Sequence, residues 1–290
     1  MKKRLGYVLL IPAVLTILAV AVYPLINVLI LSLMKKFLTF GGQDFIGLAN
    51  YSKLLGDPRF WNSLKNTLVF TITSVWLELL LGLAIALFIN RPHSARGLIR
   101  AAVLLPWAIP TVVSAEMWAW IFNTDLGILN YALMEIGLIG QKLNWLGKPG
   151  LAMASAIMVD VWKTTPFAAL LLLAGLQVIP KDLYKAAQVD GASSWQRFRH
   201  ITLPGLKPVI LIVLLFRTLD AFRVFDAIYI LTGGGPANST ETLSIYAYKI
   251  LFQTLDFGYG STIAVATFVM IMLISMGYIL AIRARGGYLV

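Results

Sequence analysis

Tyr184-Lys185-Ala186-Ala187-Gln188-Val189-Asp190-Gly191-Ala192, with nine residues between Gly191 and a following Ile201-Thr202-Leu203-Pro204, is a polar stretch set between two strongly apolar segments. Its local chemistry reads as two short helices around a sharp turn. Pro180 opens the first, because a helix start tolerates the missing backbone donor. Gly191 supplies the left-handed residue that closes it. Ser193 and Gln196 have the spacing of a capping box, so they start the second helix. Ala186 and Ala187 leave a narrow face of small residues, suited to insertion into a protein cleft. For an Ala-Ala-x-x-x-Gly stretch alone, an amphipathic helix at a membrane surface is the plainer alternative.

The surroundings of this stretch are membranous. Hydrophobic residues make up 59% of the chain and charged residues 13%, against about 45–50% and about 25% in soluble domains. Leu5 to Met34 and Gly258 to Ile282 contain no Lys, Arg, Asp or Glu, and each exceeds the roughly 20 residues a helix needs to cross a bilayer. Spans are expected at about 5–34, 66–90, 101–122, 151–179, 209–231 and 258–282, with the polar loop at 180–205 between the fourth and fifth. The expected fold class is an all-α polytopic membrane protein with six transmembrane helices in a single domain, 1–290. The first segment is read as a retained span, since it is longer than a signal core and lacks a small-x-small cleavage site. Pro106 and Pro110 are expected to bend or interrupt the third span.

Basic residues set the orientation, because they accumulate in short cytoplasmic loops. With the N-terminus inside, Lys2, Lys3, Arg4, Arg91, Arg96, Arg100, Lys181, Lys185, Arg197, Arg199, Lys207, Arg283 and Arg285 face the cytoplasm. Asp182 and Asp190 are then the only acids inside, while Asp44, Asp57, Asp125, Glu135, Glu241 and Asp256 lie outside. Both termini and the polar loop are placed in the cytoplasm, and the protein in the cytoplasmic (inner) membrane. The formal charge of +11 is spread over juxtamembrane loops, which suits anionic membrane lipid rather than nucleic acid. The absence of cysteine removes thiol catalysis and thiolate metal sites. His93 and His200, the only histidines, lie in expected cytoplasmic loops, which argues against haem ligation or a histidine proton relay.

Charges inside the spans are the other signal. An intramembrane ion costs about 2.5–3.5 kcal/mol on insertion scales and therefore faces a bundle interior or a cavity. Arg217, Asp220, Arg223 and Asp226 follow one another at intervals of three in the fifth span, a spacing at which neighbours pair along one helix. For Arg217 and Asp220 an internal salt ladder and a pathway role are both open; Arg223 and Asp226 are read as lining the pathway. Asp160 and Lys163 in the fourth span are also three apart, with Trp162, Thr164 and Thr165 interleaved. Polar groups beside an aromatic ring suit a sugar, whose hydroxyls want directional partners and whose C–H face stacks on apolar surface. Glu78 and Glu116 are single carboxylates, expected to hydrogen-bond a neighbouring helix.

The polar loop resembles the coupling motif of ABC importer permeases, whose pattern runs Glu-Ala-Ala, three residues, Gly, nine residues, Ile, one residue, Leu-Pro. Lys185 stands where that family has glutamate. Further stretches are similar to the sugar-importing branch: Tyr23-Pro24, Asn66-Thr67-Leu68, Trp120-Ile121-Phe122-Asn123 with Gly127 and Asn130, and Thr232-Gly233-Gly234-Gly235-Pro236. The ending Arg283-Ala284-Arg285-Gly286-Gly287-Tyr288 resembles the first permease of a pair.

The resemblance implies the type I permease fold and a subunit that pairs with a second homologous permease. It also implies two cytosolic ATPase subunits, which bind the ATP and Mg, and an extracytoplasmic sugar-binding protein. No Gly-x-x-x-x-Gly-Lys-Ser/Thr occurs, so this chain is not itself the ATPase and is expected to carry no cofactor. Lys185, Ala186, Ala187, Asp190, Gly191, Ile201, Leu203 and Pro204 would form the ATPase-coupling element, with Lys185 needing an acidic or carbonyl partner. In relatives the sugar lies between the helices flanking this loop, which points to Asp160, Trp162, Lys163, Thr164, Asp220, Arg223 and Asp226 as the pathway for a trehalose- or maltose-like disaccharide. Phe45 to Tyr51 resembles a short outer helix. Gly233 to Pro236 reads as a flexible outer exit to the fifth span, open either to docking of the binding protein or to a plain connecting loop. The alternative is an ion-coupled secondary transporter using the Arg-Asp ladder, which predicts internal repeats.

Overall fold

The computed structural model describes residues 2–39, 41–91 and 96–285. His93 and the ending from Gly286, together with the side chains of Lys2, Lys3, Arg4, Arg96, Arg283 and Arg285, lie outside the described residues. The chain divides into two compact units, residues 1–61 with 243–270 and residues 62–242 with 271–290.

In the first unit, α1 (Lys2–Ile17) passes through a π turn at Leu18–Val22 into α2 (Tyr23–Ser32). Pro24 has no N–H to return to the preceding turn, and the ladder is re-laid there with a wider step. Leu10 to Ser32 presents Leu15, Val20, Tyr23 and Ile30 outward, as a helix facing lipid must. A short hairpin follows, β1 (Met34–Lys35) against β2 (Asp44–Phe45), and then α3 (Ala49–Leu55). The outer helix expected from Phe45 therefore begins later. Phe45 is engaged opposite Met34, and Gly47 turns the chain with φ +58°.

Asn50, buried, donates to the carbonyls of Ser32 and Met34 at 3.0 Å and so closes the end of α2. Asp57 accepts hydrogen bonds from the hydroxyls of Tyr246, on α13 (Leu243–Phe252), and Tyr259, on α14 (Phe257–Arg285). Burial alone would raise the Asp57 carboxyl, but the two tyrosine hydroxyls and the N–H groups of Arg59 and Phe60 hold it below its ordinary value. Tyr246 is pushed upward, first by burial and then by its bond to that carboxylate.

The second unit is built around α8 (Pro149–Val178). Its buried face carries many small residues, Ala152, Ser155, Ala156, Ala168 and Ala169, beside Ile157, Val159 and Val161, and leucines toward its end, Leu172, Leu173 and Leu176. Small faces let helix backbones approach closely. A Cβ at Gly82 of α4 (Pro58–Asn90) would stand 3.0 Å from Ala168 Cβ, and one at Gly175 would stand 2.8 Å from Val209 of α11 (Leu203–Phe222).

The third expected span is broken. α5 (Arg96–Ala108) and α6 (Thr111–Ile121) meet at 92°. Pro110 lacks a donor and pushes Ile109 toward extended backbone, so the break falls between them. Pro106 lies within α5. α7 (Ile128–Glu135) leads on to α8.

The fifth expected span also differs, at both ends. α9 (Lys181–Val189) precedes α10 (Ser194–Arg197), which runs through a π turn at Phe198–Thr202 straight into α11. The second helix of the polar loop is thus the start of a long helix, not a short separate one. At the far end α11 stops at Phe222, and α12 (Asp226–Leu231) begins after a break. Gly233-Gly234-Gly235-Pro236 is not the loose linker expected. Thr232 and Thr240 hydroxyls meet at 2.7 Å, Thr240 also donates to the Gly235 carbonyl at 2.8 Å, and Asn62 and Asn66 both donate to the Asn238 carbonyl.

Among the described residues five helices are long and apolar enough to cross a bilayer, and the bent pair α5 and α6 makes six if counted as one crossing.

Candidate functional site

Arg217 of α11 is 3% exposed and lies among three carboxylates. Its guanidinium donates through Nε and Nη2 to Glu78 of α4, the second bond at 2.9 Å. Nη1 reaches Asp220 at 2.6 Å, and Nη2 reaches Asp160 of α8 at 3.3 Å. The Thr164 hydroxyl stands 2.8 Å from Glu78 Oε1 and 2.6 Å from the Asp160 carbonyl. One planar cation thus joins three helices, a task for which the fork of an arginine is suited and a lysine is not. Glu78, fully buried, makes the interhelical bonds expected of it. Glu116 does not: it is exposed on α6 and makes no hydrogen bond among the described residues.

Beside this cluster opens a cavity of about 580 Å³, within the about 300–1,000 Å³ of small-molecule sites. Asp160, Lys163, Thr164, Asp220, Arg223 and Asp226 line it. Trp107 and Phe167 stack across one side, ring centroids 6.1 Å apart, and Phe216 and Phe225 add further aromatic surface. Hydrogen-bonding groups and ring faces together are what a polyhydroxylated ring requires.

Several sequence expectations need correction here. Trp162 does not line the cavity; it packs edge-on against Trp118 at 5.6 Å. Asp160, Lys163, Thr164 and Phe167 fall at i, i+3, i+4 and i+7 of one helix face, and Trp162 lies off that stripe. Helical spacing alone would have selected Phe167 in its place. Asp160 and Lys163 do not pair. Asp160 turns to Arg217, and Lys163 donates to the carbonyl of Ile109 at 2.7 Å, at the α5–α6 break. The four-member ladder is cut as well. Asp220 pairs with both Arg217 and Arg223, but the helix ends at Phe222, and Asp226 belongs to α12. Trp107 and Phe225 carried no sequence signal, since a break in each span brings them to the cavity.

In the polar loop Gly191 has φ +75°. Ala192 N–H closes on the Ala187 carbonyl at 2.8 Å and Gly191 N–H on Gln188 at 3.1 Å, a glycine-dependent helix ending. Asp190 is the last residue before that turn. Ser193 Oγ accepts from Gln196 N–H and Gln196 Oε1 accepts from Ser193 N–H at 2.7 Å, so the capping box is present. Lys185 has an acidic neighbour of its own, Asp182 at 2.9 Å, both exposed. Ala186 is exposed and Ala187 half-buried. Tyr184 and Thr202 hydroxyls meet at 2.9 Å and tie α9 to the following helix, which carries Ile201, Leu203 and Pro204. Leu183, Val189 and Trp195 stand out from this loop, Val189 at 88% exposure.

Residues 78–285 match the family described as the binding-protein-dependent transport system inner membrane component. The chain is 43% identical over 284 residues to the trehalose/maltose transport system permease protein MalF of Thermococcus litoralis, covering 98% of this chain and 95% of that one. It is 40% identical to the sulfoquinovosyl glycerol transport system permease protein SmoG of Agrobacterium fabrum, over 98% of this chain and 92% of the relative. Among solved structures, a bacterial alginate ABC transporter, in complex with a periplasmic protein bound to an alginate pentasaccharide, contains a chain of TM-score 0.86 and 25% identity. That match covers 99% of this chain and 96% of the other.

Proposed function

Because this chain belongs to the family of binding-protein-dependent transport system inner membrane components, we propose that it is a permease subunit of a sugar ABC importer. Its cargo is a disaccharide of the trehalose or maltose kind, and it is carried into the cytoplasm. The observation that carries this reading is the cavity beside Arg217, where Trp107 and Phe167 offer stacked rings within reach of Lys163, Thr164 and Asp220. The relative named for trehalose and maltose supports the choice of cargo.

In this reading a second, homologous permease completes the pathway. Two cytosolic ATPases bind ATP and Mg, and no catalytic step falls to this chain. A solute-binding protein delivers the sugar from outside, and both termini and the 180–205 loop are cytoplasmic. The exposed apolar residues Leu183, Val189 and Trp195, with Ala186, Ala187 and the turn at Gly191, form the surface that enters the ATPase. Closure of the ATPases on ATP moves this loop. Because α10 and α11 are one continuous helix up to Phe222, movement at Ser193 is carried rigidly to Arg217 and the cavity. The bundle then exchanges an inward-facing for an outward-facing arrangement.

Capture of the tagged chain from its own membrane tests the assembly. Wild type should bring down a second permease and an ATPase whose hydrolysis rises with trehalose or maltose, and Gly191→Pro should bring down neither ATPase nor activity. Capture of the wild-type chain alone would remove the reading.

A further inference from the structure

Lys163 is the one lysine in the cavity wall among the described residues, and its bond is an unexpected one. An ammonium with carboxylates on its own helix and on α11 nearby instead caps a main-chain carbonyl at 2.7 Å. That carbonyl belongs to Ile109, one residue past the end of α5 and immediately before Pro110. The last carbonyls of a helix have no partner within it, and a lysine is among the groups that satisfy them and complement the local negative end. The bond therefore fastens α8 to the point where α5 and α6 meet at 92°.

A competing acceptor lies close by. Asp160 lies one turn before Lys163 on α8, and its ion pair to Arg217 is 3.3 Å long, against about 2.7–2.9 Å for a well-formed charge-assisted bond. Trp107, just before the break, and Phe167, one turn after Lys163, are the stacked pair of the cavity. A change of angle at Ile109 would part these rings and free Lys163 in the same movement.

We propose that Lys163 is a latch for the α5–α6 break: bound to the Ile109 carbonyl it holds the bend and the Trp107–Phe167 stack, and when the break opens it transfers to Asp160. Lys163 is thereby a positioning residue for transport, setting the balance between two arrangements of the third span rather than only contacting cargo. This inference rests on the importer reading above.

The test uses the complete importer in lipid nanodiscs, with partner-chain cysteines replaced. The chain contains no cysteine, so Leu105→Cys and Val113→Cys place one spin label on each side of the break. Without nucleotide the wild type should show one distance, and ATP with vanadate a second. Lys163→Met should populate the second distance without nucleotide, raising its share about two- to fivefold, as expected from loss of a cation at a helix C-terminus. It should also raise the ATP hydrolysed per sugar moved, and Lys163→Arg should restore both. If the Met variant fails to assemble, Lys163→Gln, which keeps a neutral donor, should lie between wild type and the loss. A Lys163→Met or Lys163→Gln importer that keeps the wild-type distances and differs only in the sugar concentration for half-maximal transport overturns the latch and leaves the importer reading intact. Wild-type labels whose distance does not change with ATP and vanadate, in an assembly whose ATP hydrolysis does not respond to sugar, remove both.

Discussion

Arg217 and Glu78, 139 positions apart in the chain, meet inside the bundle through two guanidinium donors on one carboxylate. Because Asp160 and Asp220 share the same cation, the two ends of this pair are not equivalent to mutation. Removing one member of a buried pair costs about 3–5 kcal/mol, as an uncompensated charge is left behind. Arg217→Met strands three carboxylates and should lose at least that much. Glu78→Gln leaves the arginine with two and should lose about 1–3 kcal/mol. Thermal unfolding of the purified assembly ranks them, and equal or reversed losses would contradict the arrangement.

Gly191 should be sensitive for its backbone alone. A Cβ there meets nothing within 4 Å, while φ is +75°. Gly191→Ala should therefore cost about 1–2 kcal/mol locally and reduce sugar-stimulated ATPase, whereas Gly191→Asn, which tolerates the left-handed region, should retain most of it. Equal activity of the two variants would show that the turn is not what the ATPase reads.

Phe167 and Trp162 give a paired prediction on cargo. An aromatic contact is worth about 0.5–1.5 kcal/mol, so Phe167→Ala or Trp107→Ala should raise the half-maximal sugar concentration several-fold. Trp162→Leu should leave that concentration unchanged, since Trp162 packs on Trp118. A larger effect at Trp162 would relocate the site.

Asp57 sets an acid limit on the unit that contains it. Its carboxyl is held below 3.8, so the stabilisation is complete above that value and falls away as pH drops through the folded pKa. Tyr246 is raised, and its contribution is complete below the unfolded value of about 10 and is lost as pH climbs through the folded one. Asp57→Asn should lower the melting temperature at neutral pH and flatten its decline below pH 4. A variant with the wild-type acid profile would assign that decline elsewhere.

The polar loop was legible because its turn chemistry is local: Gly191, Ser193 and Gln196 need no distant partner to fix their roles. The helical membrane fold was legible from the apolar runs, and the short hairpin of Met34–Lys35 with Asp44–Phe45 was not. What the sequence concealed depends on tertiary context. The charge ladder could not reveal that Phe222 ends α11, because Arg223 and Asp226 keep a helical spacing across the break. Asp160 and Lys163 have the spacing of a pair, yet Asp160 turns to Arg217 of α11 and Lys163 to the Ile109 carbonyl at the α5–α6 break. Pro110 announced the break in the third span, but nothing in the chain announced that Lys163 would cap it.

Sugar uptake into proteoliposomes holding this chain, its partner permease and the two ATPases, with binding protein outside and ATP inside, tests the importer assignment most directly. Labelled trehalose or maltose should accumulate only when ATP and binding protein are both present, and Gly191→Pro should abolish it. Accumulation driven by an ion gradient without ATP, by this chain alone, would contradict the assignment.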